Sequence, residues 1–473
     1  MPSLHVDRFL GCRTEALGLA REIYKQMCTF PILSPHGHVN PALLAENKPF
    51  PDPVALLITP DHYITRMLAS LGISYQQLDI PADIPAGPTR AQQGLAPEDV
   101  WQLLADNWIA FAGTPSRIWF EEILGEIFEI QAPFNSANAP EIYREISRRI
   151  SHADFLPQVL FDTFRIEILA TTDGTSDSLE HHQMLRSSAL NSRVIPTFRP
   201  DDVSDAERKD WHRSIEKLEL STGVAITTFA DLRVALRQAR NRFIAAGAKA
   251  TDHGMPSALT LDLSESEKST LFATLKSGEV SAAAAETFRA VMLMEHAQMS
   301  ADDGLVMQLH PGSARNHSAM IFDTYGPDRG FDIPVQTEFT SALKPLLNRF
   351  GFSKNFRLAL FTLDESTYSR ELAPIAGAYP SVKLGPPWWF HDSLNGMRRW
   401  RDATVETAGY LNTLGFIDDT RAFLSIPVRH DVARRFDAGY LADLVLDHRM
   451  SEEDAFLLAG QIAYHLSKDF FRL

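Results

Sequence analysis

The sequence predicts an α/β protein built on a distorted (β/α)8 TIM barrel, with a large helical insertion after the first strand. Three observations support this fold class. Eight short apolar runs alternate with helical segments, and each run leads to a polar or charged side chain. The length of 473 residues suits a barrel of about 250 residues that carries large insertions. Because such barrels build their sites at the carboxyl ends of the strands, the polar residues that follow the runs are the candidate site residues.

The eight apolar runs are bounded by turn residues. They are Phe30–Ser34, Ile166–Thr172, Arg193–Phe198, Gly247–Thr251, Leu305–Leu309, Phe356–Leu363, Val382–Gly385 and Thr413–Ile417. Between the first two runs, residues 41–160 have helical periodicity, with apolar residues three and four apart in Trp101–Phe111 and Ile118–Ile130. We therefore expect a single domain over residues 1–473, in which the helical insertion 41–160 caps the mouth of the barrel.

Composition and charge narrow the classes of protein to which this chain can belong. Hydrophobic residues make up 45% and charged residues 22%, which is typical of a soluble globular protein. The net charge of −15 disfavours binding to nucleic acid or to an anionic membrane surface. The N-terminus lacks the pattern of a signal peptide, no apolar run reaches the roughly 18 residues of a membrane span, and Cys12 and Cys28 are the only cysteines. We expect a cytoplasmic protein that binds a small molecule, and the sequence leaves homo-oligomer formation open.

A candidate metal site joins the first run to the eighth. Pro35-His36-Gly37-His38 follows the first run, and residues two apart on an extended backbone point to the same side, so both imidazoles can face the barrel interior. Asp419 follows the eighth run, which is the neighbour of the first in a closed barrel. Two histidines and one carboxylate suit zinc or another divalent ion with an open position. The alternatives are a pair of loop histidines and a surface salt bridge between Asp419 and Arg421.

Two arginines are candidates for binding an anion. Arg199 follows the third run and Arg421 follows the eighth. A guanidinium presents a fixed fork of donors that matches a carboxylate, so the pair would supply the local positive charge that the acidic protein otherwise lacks. The alternative is that Arg199 forms a structural ion pair with Asp201 or Asp202.

Further candidates lie in the helical insertion and after later runs. His62 and Arg66 are four residues apart and would share one helix face, and Tyr63 offers a phenol for proton transfer; the alternative is an exposed helix capped by Asp61. Other polar or aromatic residues follow runs four, five and seven. They are His253, His310, Arg315, Trp388 and Trp389. The two indoles would wall a sugar site or belong to the core, and His181 and His182 are expected to be solvated.

These motifs occur together, in this order, in the uronate isomerase (glucuronate isomerase) family of the amidohydrolase superfamily, which the chain resembles from Phe30 to Phe471. The segments that carry the resemblance are His36–His38, Ala45–Phe50, Asp61–Tyr63, Thr171–Asp173, Asp177–Glu180, Pro196–Asp201, Asp252–Gly254, Gln308–His310, Trp388–Phe390, Asp419–Arg421, Phe423–Ser425, Arg429–His430 and Lys468–Phe471. The chain departs from the common family pattern at Ser34-Pro35, Gly174 and His391, which bears on its substrate preference.

The resemblance implies an enzyme of carbohydrate metabolism that converts D-glucuronate to D-fructuronate and D-galacturonate to D-tagaturonate. It implies one divalent metal, usually zinc, on His36, His38 and Asp419. The family's substrate-contacting positions match His62, Tyr63, Arg199, Trp388 or Trp389, and Arg421, and His310 matches a histidine at the site.

The expected reaction is a proton-transfer isomerisation through a cis-enediol. Asp419, near the metal, would assist ring opening, and the metal or preorganised donors such as His62 would stabilise developing negative charge. Tyr63 or a nearby histidine would carry the C2 proton. Two alternatives remain open from the sequence: a metal-dependent hydrolase on the same barrel, and a non-catalytic protein that binds a sugar acid.

Overall fold

The computed structural model describes residues 4–11, 13–81, 94–278 and 280–473. Cys12 and part of the predicted helical insertion 41–160 lie outside the described residues. Within the described ranges, no helix is both long enough and apolar enough to cross a membrane.

Nine parallel strands and one short antiparallel pair are present in the described residues. They are β1 (Ile32–Ser34), β2 (Ile166–Ala170), β3 (Asp173–Gly174), β4 (Val194–Ile195), β5 (Phe198–Arg199), β6 (Ala250–His253), β7 (Val306–Leu309), β8 (Ser313–Ala314), β9 (Ile333–Pro334), β10 (Leu358–Leu360) and β11 (Val382–Leu384). The antiparallel pair is β8 with β9.

The parallel strands are ordered as the sequence predicts. One sheet has the order β1-β2-β4 and the other β11-β10-β7-β6-β5-β3. Strand β2 lies in the second predicted run and β3 directly follows that run; β4 lies in the third run and β5 starts at its last residue. The Asp173 N–H donates to the Thr197 carbonyl at 3.0 Å between the two segments. Seven of the eight predicted runs therefore contain strands, each beside its neighbour in sequence.

The eighth run, Thr413–Ile417, does not form the predicted strand. It makes one isolated parallel bridge, between Leu384 and Thr413. Gly415 then takes a φ of 72°, and a Cβ there would lie 2.2 Å from the Ile462 carbonyl oxygen, so the chain turns away against the C-terminal helices. A strand cannot continue through a residue of this conformation.

The segments that follow the first and eighth runs are joined directly. The His38 N–H donates to the Thr420 carbonyl at 2.9 Å, and the Ser34 hydroxyl donates to Asp418 at 3.1 Å. The last run is thereby brought beside the first, as the distorted (β/α)8 barrel requires.

Twenty-one α-helices surround the strands in the described residues. The first eight are α1 (Leu17–Met27), α2 (Pro41–Glu46), α3 (Pro53–Leu57), α4 (His62–Ser70), α5 (Pro97–Asp106), α6 (Pro115–Glu122), α7 (Ala139–Ile150) and α8 (Pro157–Thr163). The next seven are α9 (Glu180–Leu185), α10 (Asp201–Ser204), α11 (Trp211–Thr222), α12 (Phe229–Ala245), α13 (Glu265–Lys276), α14 (Ala282–Asp303) and α15 (Ala319–Tyr325). The last six are α16 (Lys344–Phe350), α17 (Ala373–Ala378), α18 (Leu394–Ala408), α19 (Ser425–Leu446), α20 (Glu452–Gly460) and α21 (Leu466–Phe471).

Local sequence explains where helices α2 to α8 begin. Each of these helices except α4 has a proline in its first turn. The fixed φ of proline suits the start of a helix, and its missing N–H costs nothing there. Asp61 instead caps α4, accepting from the Tyr63 N–H at 2.9 Å. These boundaries fix His62 and Tyr63 in the first turn of α4.

The helical segment shares one core with the first strands. Trp101 and Phe111 are buried in the same apolar cluster as Ile32 of β1 and Ile166 of β2. Burial of such side chains stabilises a fold by about 1.5–3 kcal/mol each. The segment is thereby held against the strand that leads to His36.

Candidate active site

A pocket enclosing about 710 Å³ of solvent-open space lies at the carboxyl ends of the parallel strands. Nine of the predicted site residues line it. They are His38, His62, Tyr63, Arg199, His310, Trp388, Trp389, Asp419 and Arg421. The tenth, His36, is buried and touches the pocket residue Asp419.

His36, His38 and Asp419 converge as the sequence predicts. The Asp419 Oδ1 atom lies 3.3 Å from His36 Nε2 and 3.1 Å from His38 Nε2. That oxygen is buried and makes no hydrogen bond within the described residues, and all three ligand atoms lie within 4.8 Å of one another. A buried, unsatisfied carboxylate oxygen between two imidazoles fits a divalent cation.

Asp419 is held in an uncommon conformation by a neighbouring strand end. Its φ is 40°, in the left-handed region that a residue with a Cβ rarely adopts. The Trp388 indole N–H donates to its second oxygen, Oδ2. Trp389 also has a positive φ, 54°. Two residues in this conformation therefore line one pocket. Such backbone strain persists only where the surrounding contacts hold the residue in place.

A second acidic group lies beneath the pocket, around Asp252. This carboxylate is fully buried at the end of β6, accepts from His310 Nε2 at 2.5 Å, and lies 3.9 Å from His36 Nδ1. Burial acts to raise the pKa of Asp252, but His310 and Arg199 hold it well below its usual range. The sequence analysis assigned no role to Asp252. Its position at the end of a predicted strand was the feature that could have identified it as a site residue.

Arg199, Arg315 and Arg421 line the pocket, each with an acidic partner. Arg199 Nε lies 3.0 Å from Asp201 and its Nη1 lies 3.4 Å from Asp252, so the structural ion pair considered from the sequence is present. The other two pairs are Arg315 with Asp332 at 2.8 Å and Arg421 with Asp328 at 3.1 Å. Sequence reasoning missed Asp328 and Asp332 because they lie in an irregular segment rather than at a barrel strand end.

His62 and Tyr63 enter the pocket from α4. Asp61 does cap this helix, but the face is not exposed: both ring nitrogens of His62 are buried, with no hydrogen-bond partner in the described residues. Burial, reinforced by Arg421, lowers the pKa of His62 to about 3, so the ring is neutral at pH 7. Burial likewise raises the pKa of Tyr63, which keeps its phenol protonated.

The aromatic residues and His310 form one wall. The His310 ring lies 4.9 Å from that of Trp388, and the Trp388 and Trp389 rings are 5.4 Å apart. Burial lowers the pKa of His310 although Asp252 acts in the opposite direction. Trp388 and Trp389 are both mostly buried, as core residues would be, and both also line the pocket.

His182 and His253 do not line the pocket. His182 was expected to be solvated and is instead buried, where its Nε2 lies 2.9 Å from the Thr171 hydroxyl. The polar residues around it in sequence obscured this contact. His253 is also buried, 2.9 Å from the Thr251 hydroxyl.

Arg429 is a pocket residue to which the sequence analysis assigned no role. It lies on α19, where its Nε donates to the buried Asp392 at 2.9 Å and its guanidinium stacks 4.3 Å from the Trp119 ring. Its place near the end of a family-like motif was the only signal in the sequence.

Comparison with known protein families identifies the family of this chain. A family model described as glucuronate isomerase matches residues 4–471. The chain belongs to the glucuronate isomerase family. A uronate isomerase of Phenylobacterium zucineum (strain HLK1) is 48% identical over 470 residues, covering 99% of this chain and 97% of that protein.

Solved structures of glucuronate isomerase family members share the whole fold. The crystal structure of glucuronate isomerase from Caulobacter crescentus is 45% identical with a TM-score of 0.96, covering 99% of this chain and 97% of that one. The uronate isomerase structure from Thermotoga maritima is 25% identical with a TM-score of 0.91, covering 99% and 100%. The predicted distorted barrel and the resemblance stated from the motifs are confirmed.

Membership of the glucuronate isomerase family makes the protein an enzyme of the isomerase class. Of the three functions considered from the sequence, the comparisons support the isomerase and not the hydrolase or the non-catalytic binding protein. The buried His–Asp group gives this family member a site that can hold a metal ion.

Proposed function

We propose that the protein is a uronate isomerase that converts D-glucuronate to D-fructuronate and D-galacturonate to D-tagaturonate. One observation carries this proposal: a single pocket combines the His36, His38 and Asp419 group with an arginine, Arg421, that can take a carboxylate. A sugar acid needs both a polarising group near its carbonyl end and a cation at its other end.

His36, His38 and Asp419 would hold one divalent cation, and a donor set of two imidazoles and a carboxylate favours zinc. Such an ion would stabilise negative charge that develops on a sugar oxygen. Asp419, oriented by the Trp388 indole, would accept the C1 hydroxyl proton and deliver it to the ring oxygen as the C1–O5 bond of the sugar breaks.

Binding of the C6 carboxylate would fix the reacting carbons. Arg421 and Arg199 lie on the pocket wall, and a guanidinium fork holds a carboxylate in one orientation. With one end of the open-chain sugar fixed, C1 and C2 are presented repeatedly in the same geometry, which lowers the entropic part of the barrier.

His310 is the stronger candidate for moving the C2 proton. If its Nε2–H donates to Asp252, its Nδ1 is the acceptor; that nitrogen has no hydrogen-bond partner in the described residues. The ring is kept neutral by burial and can remove the proton from C2 and return it to C1 of the cis-enediol. The Tyr63 phenol stays protonated and would instead donate to a sugar oxygen, beside the neutral His62 ring.

We also propose that residues 1–473 form a single domain in which the segment 41–160 caps the pocket. His62, Tyr63 and Trp119 line the pocket from that segment, which supports this organisation. A cytoplasmic location is proposed on the composition, which includes two cysteines in the whole chain.

The test is proton NMR of the purified enzyme in D2O with D-glucuronate and then D-galacturonate. We expect the matching ketose, with partial deuterium at the exchanging carbon because one base carries the proton between C2 and C1. His310→Asn should abolish this transfer, whereas Tyr63→Phe should slow it. If neither uronate changes with metal-loaded protein, the proposed reaction is wrong.

A further inference from the structure

The pocket arginines Arg199, Arg315 and Arg421 differ in how firmly their acidic partners are held. The two partners of Arg199, Asp201 and Asp252, are 14% and 0% exposed. Asp332, the partner of Arg315, is 3% exposed. Asp328, the partner of Arg421, is 47% exposed. Within the described residues, Asp328 is also the single ionic partner of Arg421, whose Nε is buried without a hydrogen bond. Arg421 is thus the arginine whose partner can be replaced at least cost.

Asp328 lies in the segment that connects α15 to β9. Gly326 and Gly330 flank it with φ values of 79° and 81°, and Asp328 itself has a φ of 60°. A Cβ at residue 330 would lie 2.9 Å from the His62 carbonyl oxygen, so the segment rests directly on α4. The Asp328 N–H donates to the Asn316 side chain at 3.3 Å, at the long end of hydrogen-bond distances. The base of the segment is fixed while its tip carries an exposed carboxylate.

We propose that Asp328 is a resident carboxylate that occupies Arg421 in the free enzyme and is displaced by the carboxylate of the sugar acid. The identity of that ligand rests on the proposed function. Asp328 is then a specificity-determining residue: it sets what a ligand must carry in order to bind Arg421.

The charges around Asp328 explain why displacement is required. Partial burial acts to raise the pKa of Asp328, but Arg421, Arg199 and Arg315 lower it, so the group is an anion at neutral pH. Two carboxylates on one guanidinium repel each other, and an arriving sugar acid must therefore move Asp328 aside. A neutral sugar offers no charge to replace it, and the ion pair excludes that sugar from Arg421.

Displacement lowers the apparent affinity for every carboxylate ligand. The binding-competent state is the fraction of molecules in which the pair is open, and the observed affinity is reduced by that fraction. For a half-exposed ion pair this reduction is about fivefold. Asp328→Asn removes the competing charge, and asparagine tolerates the left-handed backbone at this position.

The experiment is calorimetry with L-gulonate, which keeps the uronate carboxylate but has an alcohol in place of the reactive carbonyl, and with D-glucitol, which lacks the carboxylate. Asp323→Asn is the matched control, because Asp323 is exposed on α15 five residues earlier and makes no ion pair in the described residues. We expect Asp328→Asn to bind L-gulonate about fivefold more tightly than wild type and Asp323→Asn to match wild type. D-glucitol should gain nothing from either change. A structure with L-gulonate bound should show Asp328 separated from Arg421.

Three results would overturn the proposal. Weaker binding of L-gulonate by Asp328→Asn would mean that Asp328 holds the sugar directly, and unchanged binding, including no binding by either protein, would mean that it does not compete. An intact Arg421–Asp328 pair in the complex would exclude displacement. Because L-gulonate is not turned over, failure to isomerise a uronate while these effects persist would refute the proposed reaction and leave the displacement standing.

Discussion

Replacing Arg421 should damage catalysis far more than folding. Arg421→Met removes the guanidinium proposed to bind the sugar carboxylate, and loss of such a contact costs about 2–4 kcal/mol of transition-state stabilisation, or roughly 30- to 1,000-fold in kcat/KM. Its partner Asp328 is half-exposed, so the free energy of unfolding should fall by less than about 1 kcal/mol.

Arg199→Met should behave differently, because one of the two acidic partners of Arg199, Asp252, is fully buried. Asp252 would keep its hydrogen bond with His310 but lose the guanidinium 3.4 Å away. Breaking a buried pair from one side typically costs about 3–5 kcal/mol of folding free energy. Arg199→Met should therefore lose stability as well as activity. The free energy of unfolding, rather than kcat/KM, distinguishes the two variants.

The assay is ketose formation from D-glucuronate, together with denaturant unfolding of each variant. Arg349→Met is the control, because Arg349 forms an exposed pair with Asp262 at 3.4 Å away from the pocket. If Arg421→Met keeps kcat/KM within about fivefold of wild type, the assignment of Arg421 to the carboxylate is wrong. If Arg199→Met unfolds like wild type, the buried pair contributes no net stability.

Three further predictions concern the rest of the site. Trp388→Phe removes the donor to Asp419 and should lower kcat/KM about 10- to 100-fold in steady-state kinetics, whereas Trp400→Phe, buried outside the pocket, should not. Burial raises the pKa of Asp173 to about 7, so the native state binds more protons than the unfolded state between pH 4 and 7. Stability should therefore fall by roughly 2 kcal/mol from pH 5 to 8 in denaturant unfolding, and Asp173→Asn should remove that fall; equal pH dependence would refute the shift. His38→Asn should lose the roughly one equivalent of divalent metal expected in wild type by elemental analysis, and unchanged metal content would exclude His38 as a ligand.

Most of the barrel was predictable because its strands are short, apolar and bounded by turns. The runs containing β1, β2, β6, β7, β10 and β11 appear where the apolar pattern places them. The eighth run has the same pattern but fails at Gly415, whose positive φ follows from its close contact with the Ile462 carbonyl. A contact 47 residues away in sequence, with the C-terminal helices, is not encoded in local periodicity.

The site was predictable where spacing and strand position carry chemistry. From the two-residue spacing of His36 and His38, and from the first and last runs being neighbours, the sequence predicts that these histidines meet Asp419, and the structure places the three side chains together. The partners of the arginines could not be assigned in the same way. Asp328 belongs to an irregular segment whose place over the pocket depends on contacts of Gly330 with α4.

For His310 and Asp252 the sequence predicts the position of each residue but not the contact between them. Each stands at the end of a barrel strand, so each was identified as a position of interest. Their hydrogen bond depends on the register of β6 against β7, in which Asp252 lies beside Gln308 and His253 beside Leu309. Register of parallel strands is fixed by packing on both faces, and a single sequence does not reveal it.

The joining of the first run to the last has a consequence for how the enzyme is made. Ser34 and Asp418, which are hydrogen-bonded, lie 384 residues apart in the chain. At the usual speed of synthesis, roughly 20–80 s pass between the synthesis of His36 and His38 and the synthesis of Asp419. A chain released before that point contains both imidazoles and most of the barrel but no Asp419, so we expect premature termination to leave the proposed metal site incomplete.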